Sequence, residues 1–209
     1  MRIVCISDTH ELHRELDVPS GDLLLHAGDF TFLSRRKSQI YDFNEWLGEL
    51  PHRYKIVIPG NHEFAVEADP NLRHAITNAV LLIDQGINIA KVKVWGSPVT
   101  PLFGVAFGRS NPADRRKHWA RIPRSVDILL THGPPHGILD TPPDSEVHEG
   151  CPELREAVMR IKPRLHVFGH VHGAYGIFRN QPTIFANAAL FSATGDLDRT
   201  PIVLDLDFG

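Results

Sequence analysis

Five short fragments of the sequence carry side chains that bind divalent metals, and they follow one another in a fixed order. They are Asp8-Thr9-His10, Gly28-Asp29, Gly60-Asn61-His62-Glu63, His132-Gly133 and Gly169-His170-Val171-His172. A mixture of carboxylate, amide and imidazole ligands suits Mn, Fe, Zn and similar ions. Together the fragments offer enough ligands for two divalent ions side by side.

Such a pair of ions indicates a particular kind of chemistry. Two metals about 3.5–4 Å apart need a bridging carboxylate to screen their repulsion, and a hydroxide shared between them is a strong nucleophile near neutral pH. The ions also stabilise the charge that develops on phosphoryl oxygens. Each fragment alone is a weak signal, but the complete ordered set favours metal-assisted hydrolysis of a phosphate ester.

A predicted β-strand precedes each fragment. These strands are short apolar runs, typical of a sheet that is covered on both faces: Arg2–Ser7, Asp22–His26, Tyr54–Ile58, Val126–Thr131 and Leu165–Phe168. Ligand sites in open α/β sheets gather at the carboxyl ends of strands, so the five fragments are expected to meet in one cleft. Gly28, Gly60 and Gly169 directly precede ligands and allow tight turns there.

The rest of the pattern completes an α/β prediction. Helices are predicted over Arg35–Leu50, Asn71–Thr77, Asn111–Ala120 and Glu153–Ile161. Further strands are predicted over Val80–Ile83, Asn88–Val94, Ala174–Phe178, Thr183–Ala186 and Ile202–Leu206. We expect a two-layer α/β fold, a central mixed β-sandwich flanked by α-helices, formed by residues 1–209 as a single domain.

Composition excludes several classes of protein. A net charge of −3 with neutral histidines does not indicate a general nucleic-acid or membrane binder, and no apolar run approaches the length of a membrane span. Two cysteines fit a reducing compartment, and the strand pattern begins at Arg2 without room for a signal peptide. The expected location is the cytoplasm.

The five fragments resemble the signature of the calcineurin-like metallophosphoesterase superfamily, D-x-H, G-D, G-N-H-E/D, H and G-H-x-H. The resemblance spans Asp8 to His172. The stretches Gly21–Phe30, Phe43–Glu63, Thr131–Pro135 and Pro163–Gly176 are similar to the metallophosphoesterase-domain-containing (MPPED, or 239AB) branch, itself similar to class III cyclic-nucleotide phosphodiesterases. The implied fold is the calcineurin-like metallophosphoesterase fold.

This resemblance implies a role for each site residue. The first metal would be held by Asp8, His10 and His172, the second by Asn61, His132 and His170, and Asp29 would bridge them. His62 would bind the phosphoryl group and protonate the leaving oxygen, with Asn61 beside it as a substrate contact and Glu63 orienting it. In some animal members of the branch a glycine replaces the first histidine of G-H-x-H, but here that residue is His170, so the second site should be intact.

The function implied by the resemblance is a phosphodiesterase that acts on small phosphodiesters, with cyclic nucleotides as the leading candidates, by attack of a metal-bridging hydroxide. Its cofactors would be two divalent ions, first of all Mn²⁺, with Fe, Zn, Co, Ni or Mg as alternatives. A phosphomonoesterase or nuclease could use the same residues, and a nucleotide-binding regulatory protein with little turnover is a third interpretation. A homodimer is a further expectation from the resemblance, whereas a nucleic-acid partner is not expected.

Several features remain open between a functional and a structural interpretation. The proline-rich segment Pro134–Gly150 either covers one side of the site or is a surface loop. His26 either supports a ligand or makes a core hydrogen bond, and His136 and His148 either touch substrate or do not. The remaining histidines, His13, His52, His74, His118 and His166, are predicted at the surface, and Arg35-Arg36-Lys37 and Arg115-Arg116-Lys117 on solvated helix faces.

Overall fold

The protein is described by a computed structural model that covers residues 1–34, 36–143, 145–192 and 195–208. Its strands are β1 (Arg2–Ile6), β2 (Leu23–His26), β3 (Tyr54–Val57), β4 (Val80–Leu81), β5 (Gln85–Ile89), β6 (Val92–Ser97), β7 (Ile128–Thr131), β8 (Leu165–Phe168), β9 (Gly176–Asn180), β10 (Thr183–Asn187) and β11 (Ile202–Asp205). Its helices are α1 (Lys37–Glu49), α2 (Phe64–Ala68), α3 (Pro70–Arg73), α4 (Pro112–Trp119) and α5 (Pro152–Ile161).

The strands form two mixed sheets. One has the order β11-β1-β2-β3-β4, and the other has the order β5-β6-β7-β8-β10-β9. The central strands of each sheet run parallel, whereas β11, β5 and β9 pair antiparallel at the edges. Parallel neighbours in one sheet end at the same edge, so the loops after β1, β2 and β3 come together.

Side-chain alternation along β1 explains how the layers stack. Ile3 and Cys5 point into the core between the two sheets, whereas Val4 and Ile6 pack against the helices outside the first sheet. The second sheet does the same, because Ile128 and Leu130 face the inter-sheet core. Both faces of each sheet are therefore buried, as the continuously apolar strands predict.

Helices cover the outer faces of both sheets. The apolar side of α1, with Ile40, Phe43 and Leu47, packs on the first sheet together with α2 and α3. The apolar side of α5 packs on the second sheet next to Trp119 of α4. The mixed β-sandwich flanked by helices is confirmed, but it has four layers rather than two, since each sheet carries its own helical layer.

Two predicted elements were wrong. The single strand Asn88–Val94 is a hairpin of β5 and β6, turning at Ala90 and Lys91 with φ values of 48° and 71°. A two-residue turn with positive φ at both positions normally uses Gly or Asn. Ala90 and Lys91 therefore give no sequence signal for this turn. The helix Asn71–Thr77 is the shorter α3, and α2 before it was not predicted.

Several of the polar residues that were expected at the surface are buried. His13, His52, His118 and His166 are enclosed, whereas His74 is exposed as expected. Arg115 is also buried, because its Nε donates to Glu153 Oε2 at 2.8 Å across the α4–α5 contact. Arg35 lies outside the described residues.

Cys5 and Cys151 are both free thiols within the core. Among the described residues, no helix combines the length and the apolar character that a membrane crossing requires.

Candidate metal centre

The loop after β1 brings the first ligand group together. Asp8 is fully buried, and its backbone N–H donates to the Gly28 carbonyl at 2.9 Å, which ties the loop after β1 to the loop after β2. His172 Nε2 lies 3.2 Å from Asp8 Oδ1 and 3.5 Å from His10 Nε2. These three side chains offer one ligand atom each within a space that one ion could fill.

The loops after β2, β3, β7 and β8 form the second group. His132 Nε2 lies 3.2 Å from Asp29 Oδ2 and 2.8 Å from Asn61 Oδ1. The His170 ring is 5.1 Å from the His132 ring, and a ligand atom of His170 joins those of Asp29 and His132. All seven side chains predicted as metal ligands therefore meet at one edge of the sandwich, although their roles as ligands remain a prediction.

In His132 and His10, the ring nitrogen that does not face the other candidate ligands makes a hydrogen bond that fits a metal site. His132 Nδ1 lies 2.8 Å from the Ala27 carbonyl, and His10 Nδ1 lies 3.2 Å from the Thr31 carbonyl. A carbonyl can only accept, so in the neutral rings each Nδ1 carries the hydrogen and each Nε2 turns a lone pair to its neighbours. Lone pairs of imidazole, carboxylate and amide then face one another, which is the donor set that a divalent transition metal requires.

The electrostatics of the centre also favour a cation. Burial alone would raise the pKa of Asp8, but a hydrogen bond from His172 and the nearby His132 hold it well below its usual range. Burial alone would lower the pKa of His132, but Asp29 raises it to about 9. In the absence of metal, the two buried carboxylates thus draw a proton onto His132, in the space where a positive ion would lie.

Two glycines make room for the carboxylates. A Cβ on Gly60 would overlap Asp29 Oδ1, and a Cβ on Gly169 would overlap Asp8 Oδ2. Three of the candidate ligands adopt left-handed backbone conformations, with φ of 55° at Asp8, 54° at Asp29 and 69° at His170. Such a conformation costs about 1–3 kcal/mol at a non-glycine residue, so the surrounding fold must hold these loops in place.

His62 lies at the mouth of the site. Its Nδ1 hydrogen-bonds the Phe32 carbonyl, which leaves Nε2 pointing inward, 3.8 Å from Asp29 Oδ2. Its backbone N–H donates to Asp29 Oδ1 at 2.9 Å, and its side chain is 28% exposed. His62 can therefore reach a bound substrate through Nε2 without being enclosed among the ligands.

Glu63 acts on the backbone of the site rather than on the His62 ring. Its carboxylate accepts the backbone N–H groups of Asp29 at 3.0 Å and Gly60 at 2.5 Å, and both the N–H and the hydroxyl of Thr31. Burial and the neighbouring Asp29 raise the pKa of Glu63 to about 8, whereas the donors from Gly60 and Thr31 favour its charged form. The expected contact with the His62 imidazole is replaced by the Phe32 carbonyl.

The fragments did not reveal several residues that shape the site. Thr31 holds Glu63 and the His10 ring, and the Phe191 ring lies 4.8 Å from the His10 ring. Arg199 donates through Nη1 to the His172 carbonyl. Thr31 lies only two residues after Asp29, so its position in the sequence could have indicated it. Phe191 follows β10, another strand that ends at this edge.

The structure bears on two features whose interpretation the sequence leaves open, His26 and the proline-rich segment. His26 Nδ1 accepts the Gly28 N–H at 3.2 Å and Nε2 contacts the Thr9 hydroxyl at 3.1 Å, so this core histidine supports two of the fragments. Burial lowers the pKa of His26 to about 3. In the segment Pro134–Gly150, of which Asp144 lies outside the described residues, Pro142 packs close to Gly173, directly after His172. The segment therefore packs against the loop that carries His172.

Comparison with known proteins gives a consistent result. Residues 1–174 match the family model described as calcineurin-like phosphoesterase. The human metallophosphoesterase domain-containing protein 1 is 38% identical over 98% of this chain and 71% of its own length. A UPF0046 protein of Caenorhabditis elegans is 38% identical over 97% of this chain and 74% of its own length.

Solved structures share the fold. One crystal structure superposes with a TM-score of 0.67 at 19% identity and covers 89% of each chain. The TT1561 protein of Thermus thermophilus superposes with a TM-score of 0.58 at 12% identity, covering 89% of this chain and 88% of its own. At these identities the likeness extends to the fold alone.

Proposed function

Because this chain belongs to the calcineurin-like phosphoesterase family, whose members are metal-dependent phosphoester hydrolases, we propose that it is a two-metal phosphodiesterase of small phosphodiesters. The observation that carries the proposal is the complete set of seven ligand side chains at one edge of the sandwich. Buried lone pairs that face one another over 2.8–3.5 Å are costly unless a cation or a proton lies between them.

Each ligand group would hold one ion. Asp8, His10 and His172 would bind the first, Asn61, His132 and His170 the second, and Asp29 would be shared. When bound, the ions supply Lewis acidity to the phosphoryl group and make a water molecule nucleophilic near neutral pH. The mixed oxygen and nitrogen donors suit Mn²⁺, our first choice, and leave Fe, Zn, Co, Ni and Mg as alternatives.

His62 would act on the leaving group. The Phe32 carbonyl keeps a proton on Nδ1, so the proton of the imidazolium form that can be given away is the one on Nε2. That atom points into the site from its mouth, 3.8 Å from Asp29 Oδ2. We therefore assign to His62 Nε2 the proton that the departing alkoxide needs, with Asn61 as the second substrate contact beside the ions.

The surroundings of His62 support a substrate that carries a flat ring. The side chain of Phe32 is 52% exposed, and its ring centroid lies 5.7 Å from that of His62. An exposed aromatic ring beside the reacting groups can stack on a nucleobase, which contributes about 1–3 kcal/mol per base. Cyclic nucleotides are therefore the leading substrates of the proposal.

Two other functions use the same residues. A phosphomonoesterase or nuclease needs the same ions and differs in the loops around them, among them Pro134–Gly150. A nucleotide-binding regulatory protein with little turnover needs only the binding surface. The presence of His170 in the second ligand group favours turnover over mere binding, because the set of ligands is then complete.

A substrate panel with the Mn²⁺-loaded protein separates these functions. It contains 3′,5′- and 2′,3′-cyclic nucleotides, an aryl diester, an aryl monoester and single-stranded DNA. The proposal expects a higher kcat/KM for the small diesters than for the monoester and the DNA, and a large loss of activity in His170→Gly. Preference for the monoester or the DNA would support the second function, and tight nucleotide binding without turnover would support the third.

Two further proposals concern the setting of the protein. The low cysteine content, with both thiols free and buried, supports a location in the reducing cytoplasm. A homodimer is proposed from the likeness to the family.

A further inference from the structure

A second cluster of metal-binding side chains lies outside the centre described above. His136, Asp140 and His148 all belong to the segment Pro134–Gly150, and each offers a ligand atom within 4.8 Å of the other two. His148 Nδ1 lies 2.8 Å from Asp140 Oδ1, and His136 Nδ1 lies 3.9 Å from Asp140 Oδ2. The centroids of the two imidazole rings are 4.7 Å apart.

Asp140 is the fixed centre of this cluster. Its side chain is 2% exposed, and its Oδ2 accepts the backbone N–H groups of Gly137 at 2.8 Å and Gly150 at 3.1 Å. Burial alone would raise the pKa of Asp140, but the hydrogen bonds from His148 and these two N–H groups hold it below its usual range. A buried carboxylate that stays ionised is thus held in one place by the backbone of its own loop.

The loop positions the two histidines before any ion binds. Its two ends are joined, because the N–H of His136 donates to the Cys151 carbonyl at 3.1 Å and the N–H of Cys151 donates to the Pro134 carbonyl at 2.9 Å. His136 and His148 therefore reach Asp140 from opposite ends of one closed loop. Both imidazoles are partly open to solvent, with 40% and 47% of their side-chain surface exposed, which leaves room for a further ligand such as water.

We propose that His136, Asp140 and His148 form a third metal site, separate from the dinuclear centre, for a zinc-class divalent transition ion. Two imidazoles and one carboxylate with an open fourth position are a ligand set that Zn²⁺ uses in proteins. Ligand atoms about 2.0–2.2 Å from a tetrahedral ion lie roughly 3.4 Å from one another. The nitrogen–oxygen separations are 2.8 Å from His148 to Oδ1 of Asp140 and 3.9 Å from His136 to Oδ2, on either side of that value, and one ligand atom of each residue lies within 4.8 Å of the other two.

The competing explanation is a hydrogen-bonded cluster that only closes the loop. His148 Nδ1 also lies 2.8 Å from the Thr141 hydroxyl, so the histidine has polar partners without a metal. In such a cluster an imidazole N–H donates a hydrogen bond to the Asp140 carboxylate. Metal binding instead requires both neutral rings to turn a nitrogen lone pair to the same point. Stoichiometry and spectroscopy of bound metal distinguish the two.

An ion at this site would also stiffen one wall of the dinuclear centre. Pro142 and Pro143 of the same loop lie close to Gly173, which follows His172 directly. Asn187 ties this part of the loop to the G-H-x-H segment, since its Nδ2 donates to the carbonyls of Leu139 and Val171. The loop would then be cross-linked at its outer end by metal and anchored at its inner end by these contacts.

The first test counts ions in the full chain. Chelator-treated protein is dialysed against micromolar Zn²⁺, and bound zinc is measured by elemental analysis in the wild type, in the double variant His136→Ala/His148→Ala and in His74→Ala. His74 is an exposed histidine outside both clusters and serves as the matched control. We expect three ions in the wild type and the control and two in the double variant, with unchanged far-ultraviolet circular dichroism. Equal counts in the wild type and the double variant, or loss of more than one ion, would overturn the proposal.

A second test isolates the loop from the dinuclear centre. In an Asp29→Ala chain, Co²⁺ should still give the visible absorption of one four-coordinate ion with imidazole ligands. Adding His148→Ala should abolish that absorption, whereas adding His74→Ala should leave it. Absorption that survives His148→Ala would contradict the loop site, and it would do so independently of whether the protein hydrolyses phosphodiesters.

Discussion

The carboxylate of Glu63 accepts the backbone N–H of Asp29 at 3.0 Å, which fixes the residue that we assign to both ions. Asp29 adopts a left-handed φ of 54°, and the same carboxylate also binds Gly60 and Thr31. A buried acid from the loop after β3 thus clamps the loop after β2. From this relationship we expect Glu63 to affect metal affinity.

Replacing Glu63 by Gln should weaken metal binding by roughly 10–100-fold, the effect typical of a lost outer contact at a metal site. The amide nitrogen of Gln would face backbone N–H groups, so one half of the clamp would become repulsive. Competition with a fluorescent chelator measures the affinity. Glu45→Gln is the matched control, since the Glu45 side chain is 81% exposed. Equal affinities in wild type and Glu63→Gln would show that the clamp does not matter to the ions.

Replacing His62 by Ala should leave both ions bound and slow the hydrolysis of esters with poor leaving groups by roughly 10²–10⁴-fold. An activated aryl diester should be affected less, because its leaving group needs no proton. Steady-state rates on an alkyl and an aryl diester measure this difference, and elemental analysis verifies the metal content. Equal losses on both substrates would argue against protonation by His62.

Replacing Phe32 by Ala should raise KM for a cyclic nucleotide by roughly 10-fold, since base stacking contributes about 1–3 kcal/mol. The KM for an aliphatic diester without a ring should hardly change. Phe103→Ala is the control, because Phe103 is another phenylalanine with an exposed side chain, 89% exposed. If both substrates lost affinity equally, Phe32 would support the His62 loop rather than contact a base.

The buried His166 should make stability depend on pH. Its Nε2 lies 2.8 Å from the Thr131 hydroxyl, its Nδ1 has no hydrogen-bond partner among the described residues, and burial lowers its pKa to about 3. In the unfolded chain its pKa is about 6.5, so below pH 6.5 only the unfolded state binds this proton. Stability from this group is therefore complete above pH 6.5 and is lost progressively as the pH falls towards 3.

Comparison with His166→Leu measures that dependence. Between pH 7 and pH 5, the wild type should lose about 2 kcal/mol more free energy of unfolding than the variant, by linkage of one proton. Urea unfolding of both proteins in the presence of a chelator keeps bound metals out of the comparison. Parallel losses in the two proteins would mean that His166 is accessible to protons in the folded state.

The sequence predicts the site better than its surroundings, for a physical reason. Candidate ligands such as Asp8 and His132 follow buried parallel strands, and the ends of such strands meet at one edge whatever the loops do. The β-sandwich with helices on its outer faces follows from the continuously apolar runs that form these strands. Single-domain organisation and dimerisation remain predictions.

The features that the sequence conceals depend on tertiary contacts. The β5–β6 turn at Ala90 and Lys91 lacks the residues that signal positive φ, so local propensity favoured one continuous strand. The role of Glu63 depends on backbone groups of another loop, which no spacing along the chain reveals. The burial of His166 is set by a neighbouring strand and not by its own sequence context.

The number of divalent ions per chain in Asp29→Ala tests the central assignment most directly. It is measured by elemental analysis in the His136→Ala/His148→Ala background, so that the loop cluster does not contribute. The two-metal account predicts two ions in that parent and none at the centre after Asp29→Ala, because the shared ligand is lost from both groups. Two ions retained after Asp29→Ala would contradict it.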